Sequence, residues 1–463
     1  MKSNNISYKL PIQKLKNKVS CGETLNFNWR INQIDKINNL IDNYRLEIIN
    51  SLNLDLGKSK IEALSEIILI KEEIKLIKNN LKNWMKPQRI KTPFYLFPSF
   101  SKVIFEPLGC VLILGPYNYP LLYIFKPLLN IFSAGNTAII KPSEKCPNVS
   151  KLIKRLTDKY FQSDILFTIE GDYKESKKLV SENFDHIFFT GSSKTGKSIM
   201  KLAAENLTPL TLELSGTNPV IILKNTNLKV ASKRIVWGKF FNSGQSCIAP
   251  NHIFVERSIE EEFINELKKT IVSFYGADAI NAYDLSKLEK SQFYKTIKII
   301  KEYQLEKQII FGGNYNEESY KVYPTLIKVK DEKDPLIKDE IFSSLLPIIS
   351  IDHYQEALNI IQSSSKPLTI YIFGGEEKIH EKISDMTSSG SICINDVMLP
   401  VLIPNLPFGG VGKSGMGKFH GEMGFRNFSN QKSIIKKSPF LDINLRYPPY
   451  EKILKFIKIF FQI

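Results

Sequence analysis

The sequence is poor in the residues that build disulfide scaffolds and local metal sites. It has five cysteines, an odd number without a C-x-x-C pair, and five histidines, no two of which are closer than 27 positions. This distribution argues against a disulfide-stabilised secreted scaffold and against a local zinc site. The N-terminal residues also lack the pattern of a secretory signal. We therefore expect a cytoplasmic protein without a bound metal.

Long apolar runs are missing as well. The most apolar segment, residues 453–463, reads ILKFIKIFFQI and is interrupted by Lys455 and Lys458. It is shorter than the roughly 20 residues that cross a bilayer. We expect the tail, residues 450–463, to pack on its own domain or on a partner subunit, and peripheral membrane contact is the less favoured alternative.

Acidic residues are outnumbered by basic ones. The 63 Lys and Arg against 47 Asp and Glu give a formal net charge of +16, which suggests anionic partners such as nucleic acid. Lysine, isoleucine and asparagine are abundant together along the whole chain, however, which favours a compositional bias over a selected patch. We therefore expect no nucleic-acid partner. The length of 463 residues suggests roughly two to four domains.

Apolar periodicity predicts a helical N-terminal region followed by α/β domains. Helical spacing in the first hundred residues ends at Pro87 and Pro93. Short apolar runs then alternate with amphipathic stretches, which is typical of βαβ units and a parallel sheet. These segments are residues 111–114, 121–132, 137–140, 149–160, 165–169 and 186–190. A second α/β domain is predicted to begin near residue 214, with strand-like runs at residues 219–223, 253–255, 308–311, 368–373 and 391–394.

A glycine turn follows the run at residues 186–190. Residues 191–198, GSSKTGKS, match the P-loop pattern G-x-x-x-x-G-K-[ST], and Glu213 lies where a magnesium ligand of such a site is expected. A strand, a glycine turn and a helix N-terminus also suit other phosphate sites. By itself this motif leaves nucleoside triphosphate hydrolysis open.

Two further segments carry candidate chemistry. Cys247 lies in the polar loop FFNSGQSCIAPN, where neighbouring amides can stabilise a thiolate or an oxyanion; an inert buried thiol is the alternative. Asn118 in GPYNYP follows the run at residues 111–114, at a position where doubly wound sheets bind ligands. An ordinary turn asparagine is the alternative there.

Seven motifs in order resemble the aldehyde dehydrogenase superfamily between residues 103 and 429. They are GPYNYP, AGNTAIIKPSE, FFTGSSKTGK, LELSG, GQSC, DEIF and PFGGVGKSGMG. The segments HGEMGFRNFSNQKS and LRYPPY are similar to the class 3 branch, which includes fatty and aromatic aldehyde enzymes. On this resemblance the P-loop match is a coincidence.

The resemblance implies an α/β fold with a Rossmann-type cofactor domain, an α/β catalytic domain and a small β element for oligomerisation. We assign residues 1–213 to the NAD(P)-binding domain, with a bridging segment near residues 88–106. Residues 214–404 are assigned to the catalytic domain, and residues 405–463 to bridging, oligomerisation and the tail. A homodimer is implied as well.

The resemblance also implies NAD(P)-dependent oxidation of an aldehyde to its carboxylate. Cys247 would add to the carbonyl to give a thiohemiacetal and then a thioester. The Asn118 side chain and the Cys247 backbone N–H would hold the oxyanion, and Glu213 would activate the hydrolytic water. The residues implied to bind NAD or NADP are Lys141, Glu144, Gly191, Ser192, Glu340 and Phe342.

Two alternative functions remain at this stage. One is an acylating or reductive relative that uses the same cysteine with coenzyme A or an acyl phosphate, and the other is an inactive basic binding protein. The presence of Glu213, Cys247 and Asn118 disfavours both. Two of the implied cofactor-binding residues also have a structural alternative. Glu144 could cap a helix, and Lys141 could be a solvated surface charge.

Some positions depart from the family pattern. Ser215 and Thr217 stand where the family usually has glycine and lysine after the glutamate motif, and Ser343 and Ser344 replace a Gly-Pro pair. We expect these changes to affect cofactor affinity. The loss of the Gly-Pro pair at Ser343 and Ser344 is expected to do so by loosening Glu340. The candidates to line the substrate funnel are Tyr119, Tyr123 and Phe125.

Overall fold

A computed structural model describes residues 8–214, 216–277, 279–442, 446–450 and 453–454. Ser215 and most of the tail at residues 450–463 lie outside these ranges, and so does the predicted packing of that tail. Of the helices that the structure describes, none is long and apolar enough to cross a membrane.

The α-helices are α1 Lys9–Ser20, α2 Phe27–Asn43, α3 Arg45–Leu56, α4 Lys60–Trp84, α5 Leu122–Ala134, α6 Pro147–Tyr160, α7 Tyr173–Val180, α8 Ser193–Ala203, α9 Leu228–Phe240, α10 Glu260–Tyr275, α11 Lys290–Leu305, α12 Pro335–Lys338, α13 Tyr354–Ser363, α14 Glu377–Met386, α15 Leu399–Leu402 and α16 Gly421–Asn427. The strands are β1 Gln88–Ile90, β2 Ser99–Pro107, β3 Cys110–Leu114, β4 Thr137–Lys141, β5 Leu166–Thr168, β6 His186–Thr190, β7 Leu210–Glu213, β8 Pro219–Ile222, β9 His252–Glu256, β10 Ile309–Phe311, β11 Tyr315–Asn316, β12 Lys321–Val322, β13 Thr325–Lys328, β14 Leu345–Ile351, β15 Thr369–Phe373, β16 Ser391–Ile394, β17 Gly415–Met416 and β18 Ser429–Lys437.

The N-terminal region is helical, as its periodicity predicts. The long helix α4 begins with a capping box between Ser59 and Glu62 and ends at Trp84, before Pro87. Its buried face is apolar except for three glutamates, Glu62, Glu66 and Glu73. A carboxylate is costly to bury without a partner, so these side chains indicate specific polar contacts beneath the helix.

The first large sheet carries the predicted βαβ units. Its strand order is β17-β7-β6-β3-β4-β5, and the pairs among β3 to β7 are parallel. The chain leaves β3 for β4 on one side and later returns to β6 on the other side. This change of direction opens a crevice at the carboxyl ends of β3 and β6, where doubly wound sheets bind their ligands.

The second large sheet has the order β10-β13-β14-β9-β8-β15-β16. Its strands are parallel except for β10, which pairs antiparallel with β13. The strands β13 and β14 are absent from the sequence prediction. β14 reads LLPIISI, and six of its seven residues are buried. The proline inside this segment argues against a central strand, which is why the sequence did not predict it.

A third sheet joins distant parts of the chain. β18 runs antiparallel along all nine residues of β2, and β1 pairs with the other edge of β2. β17, from the same late part of the chain, pairs with β7 in the first sheet. The segment after residue 404 therefore contributes to two different sheets.

Candidate active site

One cavity of about 670 Å³ lies at the carboxyl ends of β3, β4, β6 and β7. All nine residues predicted for catalysis or cofactor binding line it: Asn118, Lys141, Glu144, Gly191, Ser192, Glu213, Cys247, Glu340 and Phe342. They come from segments that are far apart in sequence. The structure thus brings together the set that the motifs predict, although lining a cavity does not by itself assign a role to any of them.

The loop before Cys247 is held in an unusual backbone conformation. Asn242, Ser243 and Gly244 follow one another with positive φ angles of 52°, 53° and 79°. A side chain at Gly244 would meet the Ser343 carbonyl oxygen at 2.2 Å, so this position requires glycine. Left-handed non-glycine residues cost free energy and persist only where their surroundings fix them.

Hydrogen bonds from both sides fix this loop. The backbone N–H of Asn242 donates to Glu62 Oε1 at 2.6 Å, and the buried Gln245 side chain donates to the Lys287 carbonyl at 3.1 Å. Beyond the cysteine, Asn218 Nδ2 donates to the Cys247 carbonyl at 2.8 Å. Cys247 itself is partly exposed at the cavity, unlike Cys110, Cys146 and Cys393, which are buried. Its sulfur is therefore placed for chemistry and not merely packed.

Asn118 is anchored to the same loop. Its Nδ2 donates to the Gln245 carbonyl at 3.0 Å, which leaves its second amide hydrogen for another acceptor. Its backbone carbonyl accepts from Asn242 Nδ2 at 3.0 Å and from Lys58 Nζ at 2.8 Å. The amide is thus oriented by its neighbours and held beside the Cys247 loop, as an oxyanion donor requires.

A buried ion pair supports this arrangement from α4. Lys58 Nζ lies 2.6 Å from Glu66 Oε1, and both side chains are fully buried. The other oxygen of Glu66 accepts from the backbone N–H groups of Leu121 and Leu122 at 3.1 and 2.9 Å, at the start of α5. Glu66 therefore caps α5 while Lys58 holds the Asn118 carbonyl.

Glu213 is the last residue of β7 and is almost fully buried. Its two carboxylate oxygens have no hydrogen-bond partner among the described residues. Burial raises the pKa of this carboxyl group well above its usual range, and the charge of the half-buried Lys418 opposes that shift. Gly409 allows a close backbone approach here, since a Cβ would lie 2.7 Å from Glu213 Oε1. A buried carboxyl with a raised pKa is the type of group that acts as a general base near neutral pH.

The other end of the cavity suits a phosphate. Ser192 caps α8, and its Oγ accepts from the Thr195 backbone N–H at 3.3 Å. Only Gly191 and Ser192 lie between β6 and α8, so no extended loop is present to wrap a triphosphate, and Lys197 is exposed on the helix. The P-loop interpretation therefore fails on geometry, whereas a helix N-terminus facing a cavity suits a pyrophosphate.

Lys141 and Glu144 form an ion pair with an Nζ to Oε2 distance of 2.5 Å. Lys141, the last residue of β4, is almost fully buried, which excludes a solvated surface charge. Glu144 is not a helix cap, because α6 starts at Pro147 with Cys146 at the N-cap position. The pair presents a carboxylate and an ammonium at the cavity, which can bind ribose hydroxyls.

Glu340 and Phe342 also line the cavity. Glu340 Oε1 accepts from the Gly216 backbone N–H at 3.4 Å, and Phe342 adopts a positive φ of 54°. The backbone of Ile341 between them is held on both sides, by Asn251 Oδ1 at 2.9 Å and by Gln292 Nε2 at 2.7 Å. Hydrogen bonds therefore hold the segment that carries Glu340, and the expected effect of Ser343 and Ser344 on cofactor affinity stays a prediction.

The two serines that depart from the family pattern, Ser343 and Ser344, follow Phe342 in the chain and are fully buried. Ser344 Oγ donates to the Ser243 carbonyl at 3.3 Å, which ties this segment to the nucleophile loop. Ser343 is fully buried, and nothing in the structure explains its unpaired hydroxyl.

Several residues near the site were missed or misjudged from sequence. Lys58, Glu62 and Glu66 were not predicted, although the glutamates on the apolar face of α4 are a visible signal. The three candidates for the substrate funnel, Tyr119, Tyr123 and Phe125, are all buried, and none of them lines this cavity. Tyr123 lies beside the sulfur of Cys247. The lining of the substrate funnel stays a prediction.

Comparison with known proteins identifies the family. The model of the aldehyde dehydrogenase family matches residues 16–434. The chain is 40% identical over 441 residues to 4,4'-diaponeurosporen-aldehyde dehydrogenase of Staphylococcus aureus, covering 95% of this chain and 96% of that protein. It is 36% identical over 444 residues to aldehyde dehydrogenase family 3 member H1 of Arabidopsis thaliana, covering 95% and 92%. A solved structure described as the substrate bound state of Staphylococcus aureus AldH gives a TM-score of 0.95 at 38% identity, covering 98% of this chain and 100% of that one.

The chain belongs to the aldehyde dehydrogenase family. It is an oxidoreductase that oxidises aldehydes with NAD or NADP. The class 3 resemblance and the α/β fold predicted from sequence are confirmed. The comparisons give no support to the acylating, reductive or inactive alternatives.

Proposed function

We propose that this aldehyde dehydrogenase forms a thioester on Cys247 and hydrolyses it with a water activated by Glu213. The observation that carries the proposal is the convergence of Cys247, Asn118 and Glu213 on one cavity from three separate elements. A nucleophile, an oxyanion donor and a base are the groups that oxidation of an aldehyde through an acyl intermediate requires.

The first step is addition of the Cys247 sulfur to the aldehyde carbon. The carbonyl oxygen becomes an oxyanion, which accepts hydrogen bonds from the free amide hydrogen of Asn118 and from the Cys247 backbone N–H. Both donors are fixed before the reaction, because the Asn118 amide is tied to Gln245 and the cysteine carbonyl is tied to Asn218. Preorganised donors of this kind stabilise a transition state without reorganising during the step.

The cavity fits a dinucleotide. Its phosphate end offers the N-terminus of α8 at Ser192, and its flanks offer the Lys141 and Glu144 pair and the Glu340 carboxylate. Apolar side chains of α7 and α8, Val180 and Leu202 among them, provide a surface for a base. When bound, NAD or NADP supplies the hydride acceptor.

Glu213 completes the cycle. Its carboxylate removes a proton from water, and the resulting hydroxide attacks the thioester carbon and releases the carboxylate product with the cysteine thiolate. A raised pKa strengthens the base once it is ionised, and the nearby charge of Lys418 favours that ionised form. Glu213 and Lys418 therefore act together in the deacylation step.

We further propose an apolar aldehyde as the substrate. The relative in Staphylococcus aureus is named 4,4'-diaponeurosporen-aldehyde dehydrogenase. In this chain α9, which leads into the Cys247 loop, carries the half-exposed Trp237 and packs on residues 397–398. The segment that follows residues 397–398 exposes Leu402 and Ile403, so this side of α9 also presents apolar side chains.

A homodimer is also part of the proposal. Large apolar side chains are exposed around the three-stranded sheet, among them Phe100 on β2 and Ile435 on β18. β18 pairs with β2 along one edge, and its other edge has no strand partner among the described residues. An exposed apolar sheet with an open edge is a typical contact surface for a second copy.

Replacement of Cys247 tests the proposed function. The C247A variant should lose aldehyde-dependent NADH or NADPH formation by at least about a thousandfold, because no other group can carry the acyl intermediate. The matched control is C21A, which removes an exposed cysteine outside the cavity and should retain full activity. The assay uses a long-chain apolar aldehyde and a short polar one, and the apolar one should show the higher kcat/KM. Substantial turnover by C247A would contradict the assignment.

A further inference from the structure

Tyr123 places a hydroxyl group next to the nucleophile. Its oxygen lies 3.4 Å from the sulfur of Cys247, within hydrogen-bonding distance for a sulfur atom. The side chain is almost completely buried, in the first turn of α5. The contact between Tyr123 and Cys247 is thus made inside the protein, and α5 carries no other proposed catalytic group.

The position of the Tyr123 ring is fixed by its surroundings. The ring packs edge-on against Tyr119 with centroids 6.4 Å apart and lies 6.3 Å from the ring of Phe419. The backbone N–H of Tyr123 donates to the Tyr119 carbonyl at 3.1 Å. Glu66 caps the helix two residues earlier, at Leu121. The hydroxyl is therefore held toward the sulfur with little freedom to turn away.

Neighbouring charges oppose ionisation of the thiol. The pKa of Cys247 is raised to about 12, mainly by burial and in part by the carboxylates of Glu213 and Glu340. Among the described groups that act on the thiol, the Tyr123 hydroxyl and the Cys247 backbone N–H favour the thiolate. Burial also raises the pKa of the Tyr123 phenol well above its usual range, so that group stays protonated and can donate.

We propose that Tyr123 is a catalytic residue that donates a hydrogen bond to Cys247 and stabilises its thiolate before the sulfur adds to the aldehyde. The thiol of Cys247, which is partly exposed at the cavity, loses its proton to water. A hydrogen bond to an ionised acceptor is stronger than one to a neutral acceptor, so the contact with Tyr123 strengthens when the thiolate forms. The neutral hydroxyl of Tyr123 stabilises the thiolate without placing a cation beside the substrate carbonyl. The inference rests on the proposed role of Cys247 as the nucleophile.

The test measures thiolate reactivity directly. The Y123F variant keeps the ring and removes the donor, and the rate of Cys247 alkylation by iodoacetamide is followed by mass spectrometry of the peptide that contains Cys247. Because thiolate displaces iodide and thiol does not, the rate at neutral pH should fall about tenfold and its pH profile should move about one unit upward. The kcat/KM for the aldehyde should fall by a similar factor.

A matched control separates this role from packing. Y323F removes the hydroxyl of another buried tyrosine, which donates to the Gly276 carbonyl at 3.3 Å, and should leave alkylation of Cys247 unchanged. A second variant, Y123M, also lacks the donor and should behave like Y123F, and it serves if Y123F does not fold. Alkylation of Y123F at the wild-type rate and pH dependence would overturn the proposal. Because alkylation needs no turnover, this result is independent of the C247A test of the proposed function.

Discussion

At the scale of single residues, the environment of Glu213 determines its chemistry. No described group donates a hydrogen bond to its carboxylate, so burial dominates and raises its pKa. Among the described residues, Lys418 supplies the positive charge that opposes this shift, and its Nζ donates to the Gly409 carbonyl. The balance between burial and this single cation sets the pH at which the carboxylate is available as a base.

Replacement of Lys418 should therefore shift the pH dependence of turnover. In K418M the opposing charge is lost, the pKa of Glu213 rises further, and the carboxylate becomes available only at higher pH. The acidic limb of the kcat profile should move upward by about one unit, and activity at neutral pH should fall accordingly. K418R keeps the charge and should stay close to the wild-type profile. An unshifted limb in K418M would show that Lys418 does not tune the base.

The residues of the site were largely predictable from sequence because their motifs are local. Gly244 and Cys247, for example, are read together in one short segment, and the structure places all nine predicted residues at one cavity. The supporting contacts were not predictable, since Lys58 and Asn118 are 60 positions apart and only the folded chain brings them together. The contact between Tyr123 and Cys247, 124 positions apart, belongs to the same class.

At the scale of elements, α4 acts as a brace for the active site. Its Glu62 holds the Asn242 backbone, and its Glu66 caps α5 and pairs with Lys58. Breaking a buried ion pair leaves an uncompensated charge, which is more costly than losing the pair as a whole. The brace should therefore affect both the stability of the protein and the placement of Asn118.

We expect E66Q to lower the free energy of unfolding by roughly 3–5 kcal/mol, because the amide keeps the shape but leaves Lys58 buried and unpaired. The double variant K58M/E66Q should recover part of this loss, and urea titrations of the single and double variants measure the coupling. The control is D352N, which removes an exposed partner of Arg257 and should leave the free energy of unfolding close to that of the wild type. Equal effects of E66Q and D352N would contradict the role of the brace.

The elements themselves were predicted unevenly. Strands that alternate with amphipathic helices, such as β6 at His186–Thr190, were predicted with the observed bounds. β14 was missed because Pro347 interrupts its apolar run, and a proline argues against a central strand. The pairing of β18 with β2 joins residues more than 300 positions apart, and no local pattern encodes such a pairing.

At the scale of the whole molecule, the net charge of +16 is not explained by the site. The cavity combines lysines such as Lys141 with carboxylates such as Glu144 and Glu340, which suits a dinucleotide and not a polyanion. We therefore keep the interpretation that the positive net charge reflects a compositional bias of the sequence. The surface feature that calls for a partner is instead the apolar three-stranded sheet.

That sheet predicts the assembly state. Light scattering should give a particle of twice the 53.0 kDa chain mass. F100D places a charge on a side chain that is 75% exposed in the single chain and should shift the mass toward that of the monomer. L305D changes another highly exposed leucine at the end of α11, away from the sheet, and should leave the mass unchanged. A monomeric wild-type protein would contradict the proposed dimer.

The central claim is that Cys247 carries the acyl group and that Glu213 releases it. The most direct measurement is the mass of the E213Q variant after incubation with aldehyde and NAD or NADP. Without its base the thioester should accumulate, so the chain should gain the mass of the acyl group, located on the Cys247 peptide, while C247A/E213Q should gain none. An unmodified Cys247 in an E213Q variant that still turns over at the wild-type rate would contradict the account.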